Sequence, residues 1–174
     1  MTKDVIEAIM ERRTVRKFKD QPVPEPTIGR LLDAARMAPS AGNVQAWHFF
    51  VVLNSDYRQR LQEACLGQPS VGMAPMAIVV CTVPDLISKR YGERGKYLYS
   101  IQETAAAVQN LMLAAQGYGL ATCWIGAFNE EQVKKAVDID EAYRPVAVVL
   151  AGYTEGEVKA PPKKALQDVT TIIK

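Results

Sequence analysis

The 174-residue chain is 23% charged and 48% hydrophobic with a formal net charge of +2, a balance expected of one globular domain with a sizeable core. No uninterrupted apolar run is long enough to cross a bilayer, and Met1-Thr2-Lys3-Asp4 lacks the apolar stretch and small-residue cleavage site of a signal peptide, so the expected location is the cytoplasm. Cys65, Cys81 and Cys123 are odd in number and widely spaced, which disfavours both a disulfide framework and a thiolate metal site and reads as buried small hydrophobes. With His48 as the single histidine, a His-based metal centre or a Ser-His-Asp hydrolase is a poor expectation. The net charge is too slight for a nucleic-acid surface, although Arg12, Arg13, Arg16, Lys17 and Lys19 form a basic cluster that needs its own explanation.

In chain order, Val5, Ile6, Ile9 and Met10 recur at helical spacing and predict a first helix, capped by Thr2 and ending near Arg12. Pro22, Pro24 and Pro26 mark an extended connection, after which Thr27 opens a second amphipathic helix reaching Met37. Pro39 to Trp47 follows, a small-polar loop in which Gly42 frees the backbone and Ser40, Asn43 and Gln45 are left to hydrogen-bond a partner. The loop runs into an apolar strand, His48 to Leu53. Ser55 is read as the cap of a helix that Gly67 closes, ahead of a loop containing Gln68.

Met76 to Thr82 reads as a buried strand, and Pro84 to Tyr97 as an irregular charged stretch, either a solvated loop or a lid over a site. Leu98 to Tyr118 predicts the longest helix, too broadly apolar for the surface and suited to a core or an interface. Ala121 to Ile125 is a third strand, Asn129 caps a short helix ending near Val137, and Pro145 to Gly152 is the fourth strand. Beyond Tyr153 the chain is polar and proline-rich until a β-branched run, Val169 to Ile173. Strands separated by helices, with one half mostly helical, predict a three-layer sandwich of the α+β or α/β kind. No GxGxxG follows a strand and no Walker-type motif occurs, so any phosphate must be held by side chains.

Three stretches taken together, Arg12-Arg13-Thr14-Val15-Arg16-Lys17-Phe18, Pro39-Ser40-Ala41-Gly42-Asn43-Val44-Gln45-Ala46-Trp47 and Gly119-Leu120-Ala121-Thr122-Cys123-Trp124-Ile125-Gly126-Ala127-Phe128, with a basic Lys163-Lys164 pair in the tail, resemble the nitroreductase family of FMN-dependent oxidoreductases. The resemblance spans nearly the whole chain. It implies an α+β fold: a three-layer α/β/α sandwich with a mostly antiparallel central sheet, residues 1–174 forming one FMN-binding domain with 153–174 as a C-terminal arm. It also implies a homodimer that binds FMN at the subunit interface, and the β-branched run Val169 to Ile173 is expected to add a strand to the partner's sheet.

By the same resemblance Arg12, with Lys163 or Lys164, would neutralise the flavin phosphate. Family members often carry arginines where these lysines stand. Arg13 and Thr14 would face the ribityl and phosphate, and Arg16 would approach N1 and O2 of the ring. Pro39, Ser40, Ala41 and Asn43 look like the stretch contributed by the opposite subunit. Ile125, Gly126 and Ala127 resemble the strand end whose backbone faces N5 and O4, and Gln68 is a candidate for the pyrimidine edge. Tyr91, Tyr97 and Tyr99 would border the substrate side.

The implied activity is hydride transfer from NAD(P)H through flavin N5 to a small oxidant such as a nitroaromatic or quinone, in a ping-pong cycle with no catalytic side chain and no metal. Two alternatives predict different measurements. A non-catalytic FMN-binding or flavin-storage module would bind flavin without oxidising NAD(P)H. A nucleic-acid binder acting through Arg12 to Lys19 would show steeply salt-dependent affinity and no yellow cofactor. No sequence feature selects the acceptor, because fold likeness does not choose among substrates.

Overall fold

The computed structural model describes residues 4–156 and 158–174. Four strands, β1 (Trp47–Val52), β2 (Met76–Thr82), β3 (Ala121–Ile125) and β4 (Arg144–Gly152), form one antiparallel sheet in the order β1-β2-β4-β3. β1 registers Trp47 opposite Thr82, β2 registers Met76 opposite Ala151, and β3 registers Ala121 opposite Gly152. Every residue of β2 is buried, as expected of a central strand covered on both faces.

The pleat sends alternate side chains into two cores. Met76, Ile78 and Val80 meet α2 (Glu25–Arg36) and α6 (Ser100–Gly117) on one face. Ala77, Val79 and Cys81 meet α3 (Ser55–Ala64) and α7 (Glu130–Ala136) on the other. Helices on both faces make the predicted three layers. Leu111 on the first side and Leu150 on the second are fully buried, and cutting either to alanine costs roughly 2–5 kcal/mol in transfer and cavity terms. All three cysteines are free and buried. Among the described residues no helix is long and apolar enough to cross a membrane.

Element ends differ from the sequence reading for local reasons. Thr2 lies outside the described residues, and α1 (Val5–Glu11) is capped by Asp4, whose carboxylate accepts from the Ile6 amide at 2.8 Å. α2 starts two residues before Thr27 because proline is tolerated in a helix's first turn, where its missing N–H breaks no bond. Asn54 rather than Ser55 caps α3, accepting from the Asp56 and Tyr57 amides. A further short helix, α4 (Pro69–Met73), has five residues, too few to display a period.

The largest correction concerns Pro84 to Tyr97, which is ordered. α5 (Pro84–Arg94) is interrupted at Gly92 (φ 54°, ψ −145°) and continues through a π-helical turn, Gly95–Tyr99, into α6. Proline at the helix start presets φ, and Ile87 is the one buried residue of α5, so no apolar stripe betrays the helix. Beyond β4 the arm holds a 3-10 turn, Leu166–Asp168, and residues 161–174 are exposed throughout.

Candidate functional site

The loop between α2 and β1 is built from an uncommon backbone. Gly42, Asn43 and Gln45 all adopt left-handed φ, 56°, 57° and 55°, a region that costs a residue with a Cβ. At position 42 a Cβ would also collide with the Tyr91 hydroxyl and the Arg90 guanidinium. The loop's own polar groups close part of it: Ser40 Oγ accepts from the Gln45 amide at 3.1 Å, and the Gln45 side-chain amide donates to the Asn43 carbonyl at 3.3 Å.

Two outside groups hold the rest. Arg90 Nη1 of α5 donates to the Gly42 carbonyl at 2.9 Å. Glu103 of α6 accepts from the Ala46 amide at 2.8 Å and the Ala41 amide at 3.2 Å, and the residue is 4% exposed. Burial pushes the Glu103 carboxyl above the usual carboxylate range, the two amide bonds opposing it. Sequence reasoning missed Glu103, although a signal existed: it is the one charged side chain in α6.

Pro39, Ser40, Ala41, Tyr99 and Glu103 line one cavity of about 350 Å³. Tyr91 meets Tyr99 edge-on with centroids 5.4 Å apart, and Arg94 Nε donates to the Tyr99 hydroxyl at 3.0 Å. Tyr97 is exposed. The predicted loop and the predicted tyrosines are thus brought together.

The remaining candidates, apart from Lys163 and Lys164, adjoin the other edge of the sheet. Thr14 bridges Thr122 in parallel fashion, and the Val15 amide donates to the Thr122 carbonyl at 2.9 Å, so 14–16 lies along β3. Arg12 ends α1, its amide bonded to the Ala8 carbonyl, and the Arg13 guanidinium turns back to the carbonyls of Met10 at 2.7 Å and Arg12 at 3.0 Å. Within the chain Arg13 therefore closes a helix end, satisfying carbonyls that the helix leaves open. Arg16 is exposed, yet its charge reaches Cys123, where it opposes the upward push that burial gives the thiol.

At the far end of β3, Ile125 is buried while Gly126 and Ala127 are exposed. Gln68 Nε2 donates to the Ala127 carbonyl at 3.1 Å and to the Cys65 carbonyl at 2.9 Å, joining the α3–α4 junction to this loop. A Cβ at Gly126 would meet nothing within 4 Å, and its φ lies outside the left-handed region. Neither packing nor conformation within the chain demands glycine there. The bare backbone is therefore available to something outside the chain, which fits a flat cofactor seated against it. Lys163 and Lys164 are exposed on the arm.

With the strand order β1-β2-β4-β3, the 39–46 loop leads into one edge strand, while residues 14–16 and 125–127 adjoin the other. An antiparallel sheet clad by helices on both faces defines the class of the molecule as an α/β/α sandwich.

Comparison with known proteins completes the assignment. The profile of the Nitroreductase family matches residues 9–82 and 66–153. A protein of Methanothermobacter thermautotrophicus provisionally named NADH dehydrogenase/NAD(P)H nitroreductase is 36% identical over 154 residues, covering 86% of this chain and 77% of that one. The crystal structure of a like-named protein from Parabacteroides distasonis superimposes with a TM-score of 0.84 at 27% identity, covering 96% of both chains. The FMN reductase (NADPH) of Bacillus subtilis is 24% identical over 184 residues, covering 97% of this chain and 74% of that one. The chain belongs to the nitroreductase family.

Proposed function

We infer that the protein is an FMN-dependent oxidoreductase that takes electrons from NAD(P)H and delivers them to a small oxidant, at a site completed by a second copy of the chain. The observation that carries this reading is the division of the candidate residues into two half-sites on opposite sheet edges, so that joining two copies unites what one chain keeps apart. Exposed apolar residues support a second copy: Val5, Ile6, Met10 and Met37 on the α1–α2 side, and Leu166 and Ile172 on the arm. Nitroreductase and FMN reductase relatives support the chemistry.

When bound, FMN would supply the two-electron chemistry. The chain's task is position and charge. Arg12, with Lys163 or Lys164 from the arm, neutralises the phosphate, while Arg13 and Thr14 lie beside it. Arg16 sets a permanent positive charge against the N1 and O2 side of the ring. The backbone of Ile125, Gly126 and Ala127 lies against the ring near N5 and O4, with Gln68 fixing that loop through Ala127. Pro39, Ser40, Ala41 and Asn43 enter from the second copy, and Tyr91, Tyr97 and Tyr99 wall the place where a flat acceptor stacks. Donor and acceptor use that place in turn, a ping-pong order, in a single domain with an exchanged arm and a cytoplasmic location.

Purified protein is expected to be yellow, dimeric and able to consume NADH or NADPH with a nitroaromatic or quinone acceptor, giving parallel double-reciprocal lines. A colourless monomer that oxidises neither nucleotide after incubation with FMN overturns the reading. A yellow dimer without turnover assigns the protein to flavin storage instead.

A further inference from the structure

From the geometry of the α2–β1 loop we propose that Glu103 is a positioning residue, a buried two-oxygen clamp that presets the backbone of residues 40–46 for the site the second copy shares. The loop needs such a device. Three of its residues hold left-handed φ, and its internal bonds, Gln45 amide to Ser40 Oγ and the Asn43 and Val44 amides to the Ser40 and Ala41 carbonyls, leave the Ala41 and Ala46 amides to an outside acceptor. The amides of Ala41 and Ala46 stand at the two ends of the unusual stretch, and each meets a different oxygen of the same carboxylate, at 3.2 Å and 2.8 Å. One side chain thereby sets the separation of the loop's two ends.

Glu103 sits in the first turn of α6, directly after the α5 and π-helical segment that sends Arg90 to the Gly42 carbonyl. The loop is consequently held at two places by the segment that runs from α5 through the break at Gly92 into α6. A carboxylate is the fitting choice because both of its oxygens accept, whereas glutamine offers one acceptor and a donor that would face an amide N–H. The choice also has a cost, since burial holds the carboxyl above its usual range and the amide bonds do not fully offset it. A group kept in place against its own solvation is serving geometry rather than stability.

The inference rests on the flavin reading for what the loop touches, but not for the clamp itself, and the test separates the two. Glu103→Gln, purified as the full chain, is compared with the parent by amide hydrogen exchange and by FMN titration of flavin-free protein. Segment 40–46 is expected to exchange about tenfold faster or more, as befits losing one hydrogen bond to a charged group, with β2 and the body of α6 unchanged. The FMN dissociation constant is expected to rise by a similar factor. Unchanged exchange over 40–46 overturns the clamp whatever the flavin does. Faster exchange with unaltered FMN affinity upholds the clamp and overturns the assignment of 40–43 to the flavin.

Should Glu103→Gln fail to fold, Ala41→Pro removes one donor from the loop side without touching the core. Ser40 is already extended (φ −134°, ψ 153°) and Ala41 opens a 3-10 turn, positions that accept a following proline and a proline respectively. Its exchange over 42–46 is expected to accelerate in the same way. Exchange equal to that of the parent overturns the proposal.

Discussion

Among single residues, Arg16 and Glu103 have roles that measurement can isolate. Arg16 lies close enough to act on Cys123, and a guanidinium there favours whichever form of a bound ring carries more negative charge. Arg16→Gln removes an interaction worth roughly 1.5–3 kcal/mol and removes more of it from reduced than from oxidised flavin. The midpoint potential should therefore fall, by up to about 30–60 mV if the interaction is made to the reduced form alone, since 30 mV corresponds to about 1.4 kcal/mol for two electrons. Arg12→Gln should weaken FMN binding with little change in potential, and an Arg16→Gln protein with the parent's potential would remove the tuning role. Glu103 makes a prediction about pH. Its folded pKa is raised by burial, so between the ordinary glutamate value and the raised one the folded state binds more protons than the unfolded. Stability from this group is accordingly lost as pH rises through that window. Urea midpoints measured from acid to neutral pH should shift in favour of Glu103→Gln relative to the parent as pH rises, and parallel profiles would contradict the assigned shift.

At the scale of elements, the segment from α5 through the π-helical turn decides what stands over the site. Its break at Gly92 and its tight packing at Gly95, where a Cβ would press on Tyr91 and the Ile87 carbonyl, turn the helix so that Tyr91 and Tyr99 meet and Arg90 reaches the neighbouring loop. The same segment therefore shapes the loop and walls the cavity. Replacing Tyr97 and Tyr99 together by alanine should change KM across several acceptors while FMN content stays that of the parent, because neither ring is among the groups assigned to the flavin. Unchanged KM for nitroaromatic and quinone acceptors alike would remove the tyrosines from the substrate side. The edge position of β3 has a similar logic. Residues 14–16 occupy its outer side near Thr122, while Gly126 and Ala127 just past its far end are exposed.

For the whole molecule, the end of the arm bears on assembly. Ile172 and Ile173 are 78% and 94% exposed, an arrangement that water disfavours for β-branched side chains at the end of a basic tail. A second copy supplies the missing contacts if the arm lies on it and adds to its sheet. Deleting Asp168 to Lys174 should then lower dimer stability and flavin retention together, measured as dissociation on dilution and as the ratio of flavin to protein absorbance. A truncated protein that stays dimeric and retains its flavin would show that the arm contributes to neither.

What the sequence by itself determined was whatever is local and periodic. The strands Met76–Thr82 and Ala121–Ile125 were legible to the residue, because covered strands are short continuous apolar runs bounded by turn residues. Asn129 as the cap of α7 was legible too, since capping needs only the residue and the amides just after it. The motifs around Arg12, Ser40 and Gly126 were visible as unusual polar or glycine-bearing loops joined to regular elements. α4 and α5 were not, being respectively too short for a period and anchored by a single buried residue. Only the tertiary structure decided which loops meet. It placed the 39–46 loop and the Gly126 loop on opposite edges, paired Gln68 with Ala127 across 59 positions, and set Glu103 against Ala41 and Ala46 across 62 and 57. Such contacts have no period and no fixed spacing, because they follow from how helices settle on a sheet whose strand order departs from chain order, and a sequence pattern records only neighbours along the chain.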